Sequence, residues 1–264
     1  MCGIFGYVGE HVDTGEMVLQ ALKRLEYRGY DSWGVAVGVN GHIAIDKHVG
    51  KIGGSTVDLP SSEIGFGHTR WATHGGVTAA NAHPLRDATG RVAVIHNGII
   101  ENFRPLKSEL IEKGYRFESE TDTEVVVHMV ADLLGDATDP DAVRDAVART
   151  FTRLRGLNAV IVMDRVSGTL TAVKNVSPLV IGRGEDGVFV ASDALALAGH
   201  ADEVSYLDDF QVVQLSREGV RFSDAHNGEG RDARWEPIAI DEGSADLGGY
   251  PHFMLKEMHE QPKV

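Results

Sequence analysis

Cys2 stands one residue from the start of the chain, ahead of the apolar, glycine-punctuated run Gly3-Ile4-Phe5-Gly6-Tyr7-Val8-Gly9. A small second residue suits methionine aminopeptidase, so removal of Met1 is expected. Cys2 would then carry both a thiol and a free α-amine, with ordinary pKa values of about 8.5 and about 7.7–8.0. A substantially neutral amine can take the thiol proton, directly or through a water, and later return it to a departing amine. An N-terminal threonine uses the same arrangement. Taken alone, Cys2 reads more readily as a small buried hydrophobe on an ordinary strand, because free cysteine is among the most buried residue types. Thiolate attack on an amide also needs donors for the developing oxyanion. Asn97 offers a side-chain amide and Gly98 a backbone N–H, although an Asn-Gly pair by itself is equally a turn chosen for positive φ.

The surrounding stretches weigh on that choice. Cys2-Gly3-Ile4-Phe5-Gly6, Leu25-Glu26-Tyr27-Arg28-Gly29-Tyr30-Asp31-Ser32, His68-Thr69-Arg70-Trp71-Ala72-Thr73-His74-Gly75, Asn81-Ala82-His83-Pro84, His96-Asn97-Gly98-Ile99-Ile100-Glu101-Asn102-Phe103 and Glu120-Thr121-Asp122-Thr123-Glu124 follow one another in that order. Together they resemble the type 2, N-terminal nucleophile glutamine amidotransferase half of the glutamine:fructose-6-phosphate aminotransferases, from Cys2 to about Pro262. The resemblance implies an α+β fold, the four-layer αββα sandwich of two mainly antiparallel sheets found in N-terminal nucleophile hydrolases. It implies a glutaminase domain over 2–249 and, over 250–264, the start of a linker towards a sugar isomerase region.

The implied chemistry is attack of Cys2 on the glutamine side-chain amide, release of ammonia, and hydrolysis of a γ-glutamyl thioester, without a cofactor. Asn97 and Gly98 become the oxyanion hole. Arg70 meets the substrate α-carboxylate, for which a guanidinium fork is suited, with Thr73 and His74 adding contacts, and Asp122 meets the α-ammonium. Trp71 shuts the glutamine pocket and guards the ammonia route, and Arg28 orders the site in support. An arbitrary Arg or Asp is usually a surface charge or a helix cap, and an isolated Trp usually belongs to the core. The implied partners are glutamine and a sugar isomerase domain or subunit that receives ammonia; homo-oligomerisation stays open. Three rivals share these residues: a standalone glutaminase, an amidotransferase feeding another acceptor, and a non-cleaving glutamine-binding regulatory domain that retains Met1.

Other chemistries find little support. His68, His74 and His83 are spaced by six and nine residues, which places no pair on one helical face, and no metal-binding motif accompanies them. No phosphate-cradling glycine loop occurs. Some positions depart from the family pattern: Trp33 where a small residue is usual, Leu157-Asn158 for Ala-Tyr, and Asn175-Val176 where a glycine is expected.

Composition sets the frame. A chain of 264 residues with 42% hydrophobic content can bury a sizeable core. Its net charge of -14, from 39 acidic and 25 basic residues, repels phosphate backbones and argues against nucleic-acid or anionic-membrane partners. One cysteine excludes an intrachain disulfide. No apolar run reaches the roughly eighteen residues of a membrane span, and the start lacks the basic and apolar regions of a signal peptide. The cytoplasm, where a thiol stays reduced, is the expected location.

The elements that would position the chemistry follow from periodicity. Residues 3–8 read as a buried strand and Val12–Leu25 as a helix with cations in its last turn. Val35–Val39 and His42–His48 read as a hairpin through Asn40-Gly41. Ile64–His68 reads as a strand leading into a glycine-hinged loop over 70–83 that is suited to closing on a ligand. Arg91–His96 reads as a strand and Ile99–Ile111 as a helix, making Asn97-Gly98 a strand-to-helix corner whose amides are open to an anion. Helices are expected at Asp122–Leu134, entered through N-cap residues, and at Asp141–Leu154. Short strands follow at 157–164, 169–174, 178–182, 187–191, 203–206, 210–216 and 235–240, with a brief helix at 193–199. Phe253, Met254, Leu255 and Met258 share one face of a last helical pattern.

Overall fold

Strand β1 (Gly3–Gly9) is buried along its whole length. Successive side chains leave a strand on opposite faces, so Ile4 and Val8 enter one apolar cluster while Phe5 and Tyr7 enter another. A strand covered on both sides has no reason to alternate with polar residues, which explains the continuous apolar run. The computed structural model describes residues 2–40 and 42–239 together with Leu255, Met258 and His259; the expected terminal helical pattern and the segment 250–264 lie mostly outside these.

After β1 come α1 (Thr14–Arg24), β2 (Ser32–Val39), β3 (His42–Val49), β4 (Ile64–Arg70), β5 (Leu85–Arg86) and β6 (Val92–Gly98). Three helices follow, α2 (Phe103–Glu112), α3 (Glu124–Leu134) and α4 (Pro140–Phe151). The chain then runs through β7 (Asn158–Asp164), β8 (Thr169–Asn175), β9 (Val180–Gly184), β10 (Gly187–Ala191), a 3₁₀ turn at Ala194–Leu197, β11 (Glu203–Tyr206), β12 (Gln211–Ser216), β13 (Gly219–Asp224) and β14 (Glu236–Pro237). Among the described residues these form an eight-stranded sheet, β14-β11-β9-β10-β1-β4-β2-β3, and a six-stranded sheet, β13-β12-β8-β7-β6-β5. Every ladder between named strands is antiparallel.

Three apolar clusters define four layers. Val18, Leu19, Ala21 and Leu22 of α1 pack on Phe5 and Tyr7 outside the first sheet. Ile4, Val8 and Phe66 meet Ala93, Ile95 and Ile161 between the sheets. Val92, Val94, Val160 and Val162 face α3 and α4 outside the second sheet. Along β6 the sides alternate residue by residue, so one strand contributes to two clusters. Burying an aliphatic side chain of this kind contributes about 1.5–3 kcal/mol, and such burial is what holds the layers in register.

Four expectations are corrected. α2 begins at Phe103, not Ile99, and Gly98 is still a strand residue paired with Asn158, so the pair is the end of β6 and no helix N-terminus. The Ile100 N–H already donates to Asp122 Oδ2 at 2.7 Å. α3 begins at Glu124, and no side chain caps it; Asp122 serves Ile100, and buried Glu124 accepts from the Glu118 and Ser119 amides at 2.7 Å each. β5 and β13 answer to no expected strand, and of the strand expected at 235–240 the described residues 235–239 form one only at Glu236–Pro237. Trp33 lies within β2, fully buried and stacked on His48 at 4.5 Å, so its bulk is absorbed in the outer layer.

Candidate active site

The register Gly3↔Thr69 places the residue before β1 beside the end of β4. Gly3 is needed for this approach, since a Cβ there would stand 2.6 Å from Thr69 Oγ1 and 2.8 Å from Leu25 Cβ. Its N–H donates to Thr69 Oγ1 at 3.0 Å. Immediately past β4, the Trp71 N–H donates to half-buried Cys2 Sγ at 3.1 Å. The Cys2 carbonyl accepts from Asn97 Nδ2 at 2.9 Å and from Arg28 Nε at 3.3 Å. Arg28 is itself anchored by Asp193 Oδ2 at 3.0 Å, to which the Tyr27 hydroxyl donates at 2.8 Å. Cys2, on the first sheet, is therefore clamped to Asn97 on the second.

Asn97 and Gly98 close β6 at the mouth of the inter-sheet space. Gly98 has φ +135, and a Cβ there would meet the Leu157 carbonyl oxygen at 2.1 Å, so no other residue fits without shifting the β6–β7 ladder. Asp122 is buried against the same wall. Buried Arg70 donates to the carbonyls of His74 and, at 3.1 Å, Gly76. The 70–83 segment is held further by Ala72 N–H on Asp31 Oδ2 at 2.9 Å and Gly76 N–H on Glu120 Oε2 at 3.1 Å. Asn81 also exchanges bonds with Glu120, and Lys47 donates to the Ala82 carbonyl at 2.9 Å. Trp71 alone of the large side chains near the loop's start stays out, 47% exposed and edge-on to Tyr30 at 5.5 Å.

Cys2, Arg28, Arg70, Trp71, Thr73, His74, Asn97, Gly98 and Asp122 all line one cavity of about 580 Å³, room for a small amino acid and water. Two features there escaped sequence reading: the Asp193–Arg28 anchor, between residues far apart in the chain, and the contact of His68 with Asn97. Only the position of His68 next to Thr69-Arg70 hinted at the second.

Burial pushes the Cys2 thiol up, against the opposing pull of the Trp71 N–H and of the Arg70 and Arg28 charges. The resting sulfur is thus a thiol that needs a base. Burial also holds His68 down at about 3, and pushes His83 and His96 below the usual histidine range. Each of these depressed groups binds a proton on unfolding below about pH 6.5. The stability their neutral rings contribute is whole above that pH and shrinks as pH falls towards the folded-state values, by up to about 1.4 kcal/mol per pH unit per histidine. Urea titrations at pH 7.5, 6.0 and 5.0 should show the unfolding midpoint dropping steadily; a flat midpoint would contradict the neutral assignment.

The comparisons with known proteins agree with this geometry. A family model described as "Glutamine amidotransferase domain" matches residues 68–199. The chain belongs to this glutamine amidotransferase domain family. Its curated relatives include "Glutamine--fructose-6-phosphate aminotransferase [isomerizing]" of Streptomyces coelicolor, 46% identical over 270 residues that cover 100% of this chain and 43% of that protein. The Thermus thermophilus protein of the same name is 44% identical with the same coverage. The chain therefore spans less than half the length of the curated relatives it matches. Among solved structures, glutamine phosphoribosylpyrophosphate amidotransferase from B. subtilis superposes with a TM-score of 0.74 at 23% identity, over 88% of this chain and 50% of that one. A glutamine aminotransferase class-II domain protein from Silicibacter pomeroyi gives 0.58 at 18% identity, over 88% and 100%. These likenesses agree with the two-sheet sandwich with outer helices described above.

Proposed function

We propose that this chain hydrolyses the side-chain amide of glutamine with Cys2 as nucleophile and its own α-amine, freed by removal of Met1, as base. The observation that carries the reading is the meeting, in one cavity, of a lone thiol, a side-chain amide donor, a buried arginine and a buried aspartate. Glutamine presents two fixed charges and one amide, and the cavity offers Arg70 for the carboxylate, with Thr73 and His74 beside it, and Asp122 for the ammonium. With those ends held, the amide carbon is delivered to Sγ, and orientation supplies part of the acceleration.

The steps then balance. Sγ loses its proton to the α-amine, directly or through a water, and bonds to the amide carbon. One N–H of Asn97 Nδ2 is engaged by the Cys2 carbonyl, which leaves the other, with the Gly98 N–H, for the oxyanion. The α-ammonium returns the proton to the leaving nitrogen, ammonia departs, and water cleaves the thioester to glutamate and thiol. Trp71, exposed at the mouth, is positioned to swing over the bound substrate. Arg28 holds the Cys2 carbonyl and thereby the direction of the sulfur.

The names of the relatives support a sugar acceptor: ammonia would pass to an isomerase region that makes glucosamine 6-phosphate from fructose 6-phosphate, with residues 2–249 as glutaminase and 250–264 leading towards that region. The phosphoribosyl alternative is less favoured, because that relative shares 23% identity against 46% for the sugar branch. Among the described residues no helix is long and apolar enough to cross a membrane, which fits a cytoplasmic site of action. The test is intact mass with an ammonia assay. A mass lacking Met1 and ammonia equal to glutamate formed are expected; a retained methionine with no ammonia would favour the non-cleaving binding domain.

A further inference from the structure

We infer that His68 is a positioning residue for the proposed hydrolysis: its Nε2–H holds the side-chain oxygen of Asn97, so that the Asn97 NH₂ group faces the cavity beside Cys2. The inference rests on the glutaminase reading and assigns to His68 a task in it.

His68 lies on β4, opposite Ile4 of β1, whereas Asn97 lies on β6 in the other sheet. The imidazole therefore spans the inter-sheet layer. Its Nε2 is 3.0 Å from the His96 carbonyl oxygen and 3.0 Å from Asn97 Oδ1. A carbonyl oxygen only accepts, so Nε2 must carry the hydrogen. The Asn97 atom facing it must then also be an acceptor, which fixes the amide orientation with its oxygen towards His68. The other end agrees independently, since Nδ2 stands 2.9 Å from the Cys2 carbonyl, again a pure acceptor.

An asparagine amide turns about a broad, roughly two-fold torsion, and nothing intrinsic keeps its NH₂ on the cavity side. The flipped form would aim a carbonyl dipole at the growing negative charge, converting a stabilising contact into a repulsive one. His68 blocks the flip because a rotated NH₂ would confront its N–H, two donors without an acceptor in a fully buried place. The ring cannot easily accommodate by changing state. His83 packs on it with centroids 4.5 Å apart, and Nδ1 is buried with no hydrogen-bond partner, so a second proton there would also be unsatisfied. His68 reaches the reacting atoms only through Asn97.

The test uses the chain with Met1 removed and the variants His68→Phe, His68→Gln, Asn97→Ala and the Phe/Ala double variant. The probe is the γ-aldehyde analogue of glutamine. The Cys2 thiol adds to its carbonyl, the S–C bond forming as the C=O π bond opens and the proton passes to oxygen, which places that oxygen in the oxyanion position. Glutamate, which forms no such adduct, is the control ligand.

Asn97→Ala should lower kcat by about 10²–10³-fold. His68→Phe should lower kcat and aldehyde affinity together, by about 10–100-fold, while glutamate binding stays within about 2-fold. In the Asn97→Ala background it should cost under about 3-fold, because residues acting as a unit are not additive. His68→Gln, which keeps a donor, should recover part of the loss. If the phenyl ring prevents folding, His68→Met removes the donor on a more adaptable side chain and carries the same readouts. Additive losses, or equal weakening of aldehyde and glutamate, would overturn the assignment even though the parent chain is active. A parent chain that releases no ammonia would instead sink the glutaminase reading itself.

Discussion

Cys2→Ala is expected to reduce ammonia release from glutamine by about 10⁴–10⁶-fold, the range seen when a catalytic nucleophile is removed and only binding and oxyanion donors remain. The fold should survive, because among the described residues the sulfur's hydrogen bonds run to the Trp71 backbone, and Gly3 to Gly9 hold β1 in place regardless. Glutamine should still bind, which isothermal titration can check against the lost turnover. A companion variant tests the base. A chain bearing one extra residue ahead of Cys2 has an amide where the α-amine stood, and an amide nitrogen accepts no proton near neutrality. Because burial raises the thiol above its usual value, the sulfur does not ionise unaided, so this chain should be nearly as inactive as Cys2→Ala. Below the amine pKa of about 7.7–8.0, the parent's kcat/KM should fall with pH as the base becomes protonated. Wild-type turnover in either variant would remove Cys2 or its amine from the mechanism.

Asp122→Asn should raise KM for glutamine by about 30- to 5,000-fold, the equivalent of the 2–5 kcal/mol lost when one partner of a buried charge pair is truncated. The substitution is chosen with the structure in view. Asp122 Oδ2 accepts the Ile100 N–H at 2.7 Å, and an asparagine oxygen can keep that bond, so the wall after β6 stays in place while the charge disappears. The decisive comparison is with 4-carbamoylbutanoate, the glutamine analogue without an α-amine. The parent should bind it poorly, and Asp122→Asn should bind it no worse than the parent does. If the variant lost equal affinity for both compounds, Asp122 would be shaping the pocket and not pairing with an ammonium. Arg70→Ala should show a loss of similar size for glutamine but is less clean, since Arg70 also holds the carbonyls of His74 and Gly76 and its removal frees the loop.

Where the sequence was legible, physical periodicity made it so. Residues 3–8, the pair of strands around Asn40-Gly41 and the helix ending near Leu25 all stand within a few residues of where local patterning places them. The sites of misreading share one cause. Ile99 and Ile100 continue a helical spacing into Phe103, yet Ile100 donates its N–H to Asp122 and the chain turns before α2 starts. Thr121-Asp122-Thr123 carries the composition of an N-cap, but Asp122 is drawn away by that same amide. In both places a partner from another element outbid the local pattern, which no window along one segment can register.

The order and identity of the short motifs, through the family resemblance they carry, pointed to Cys2, Arg70, Asn97 and Asp122, and the structure gathers these four in one cavity. Tertiary structure alone decided which way those groups face. Arg28 finds Asp193 across the chain, and His68 on one sheet reads the Asn97 amide on the other. The second contact depends on how the two sheets stack and in what register, since a one-residue slip of β4 or β6 would send His68 or Asn97 to the opposite face.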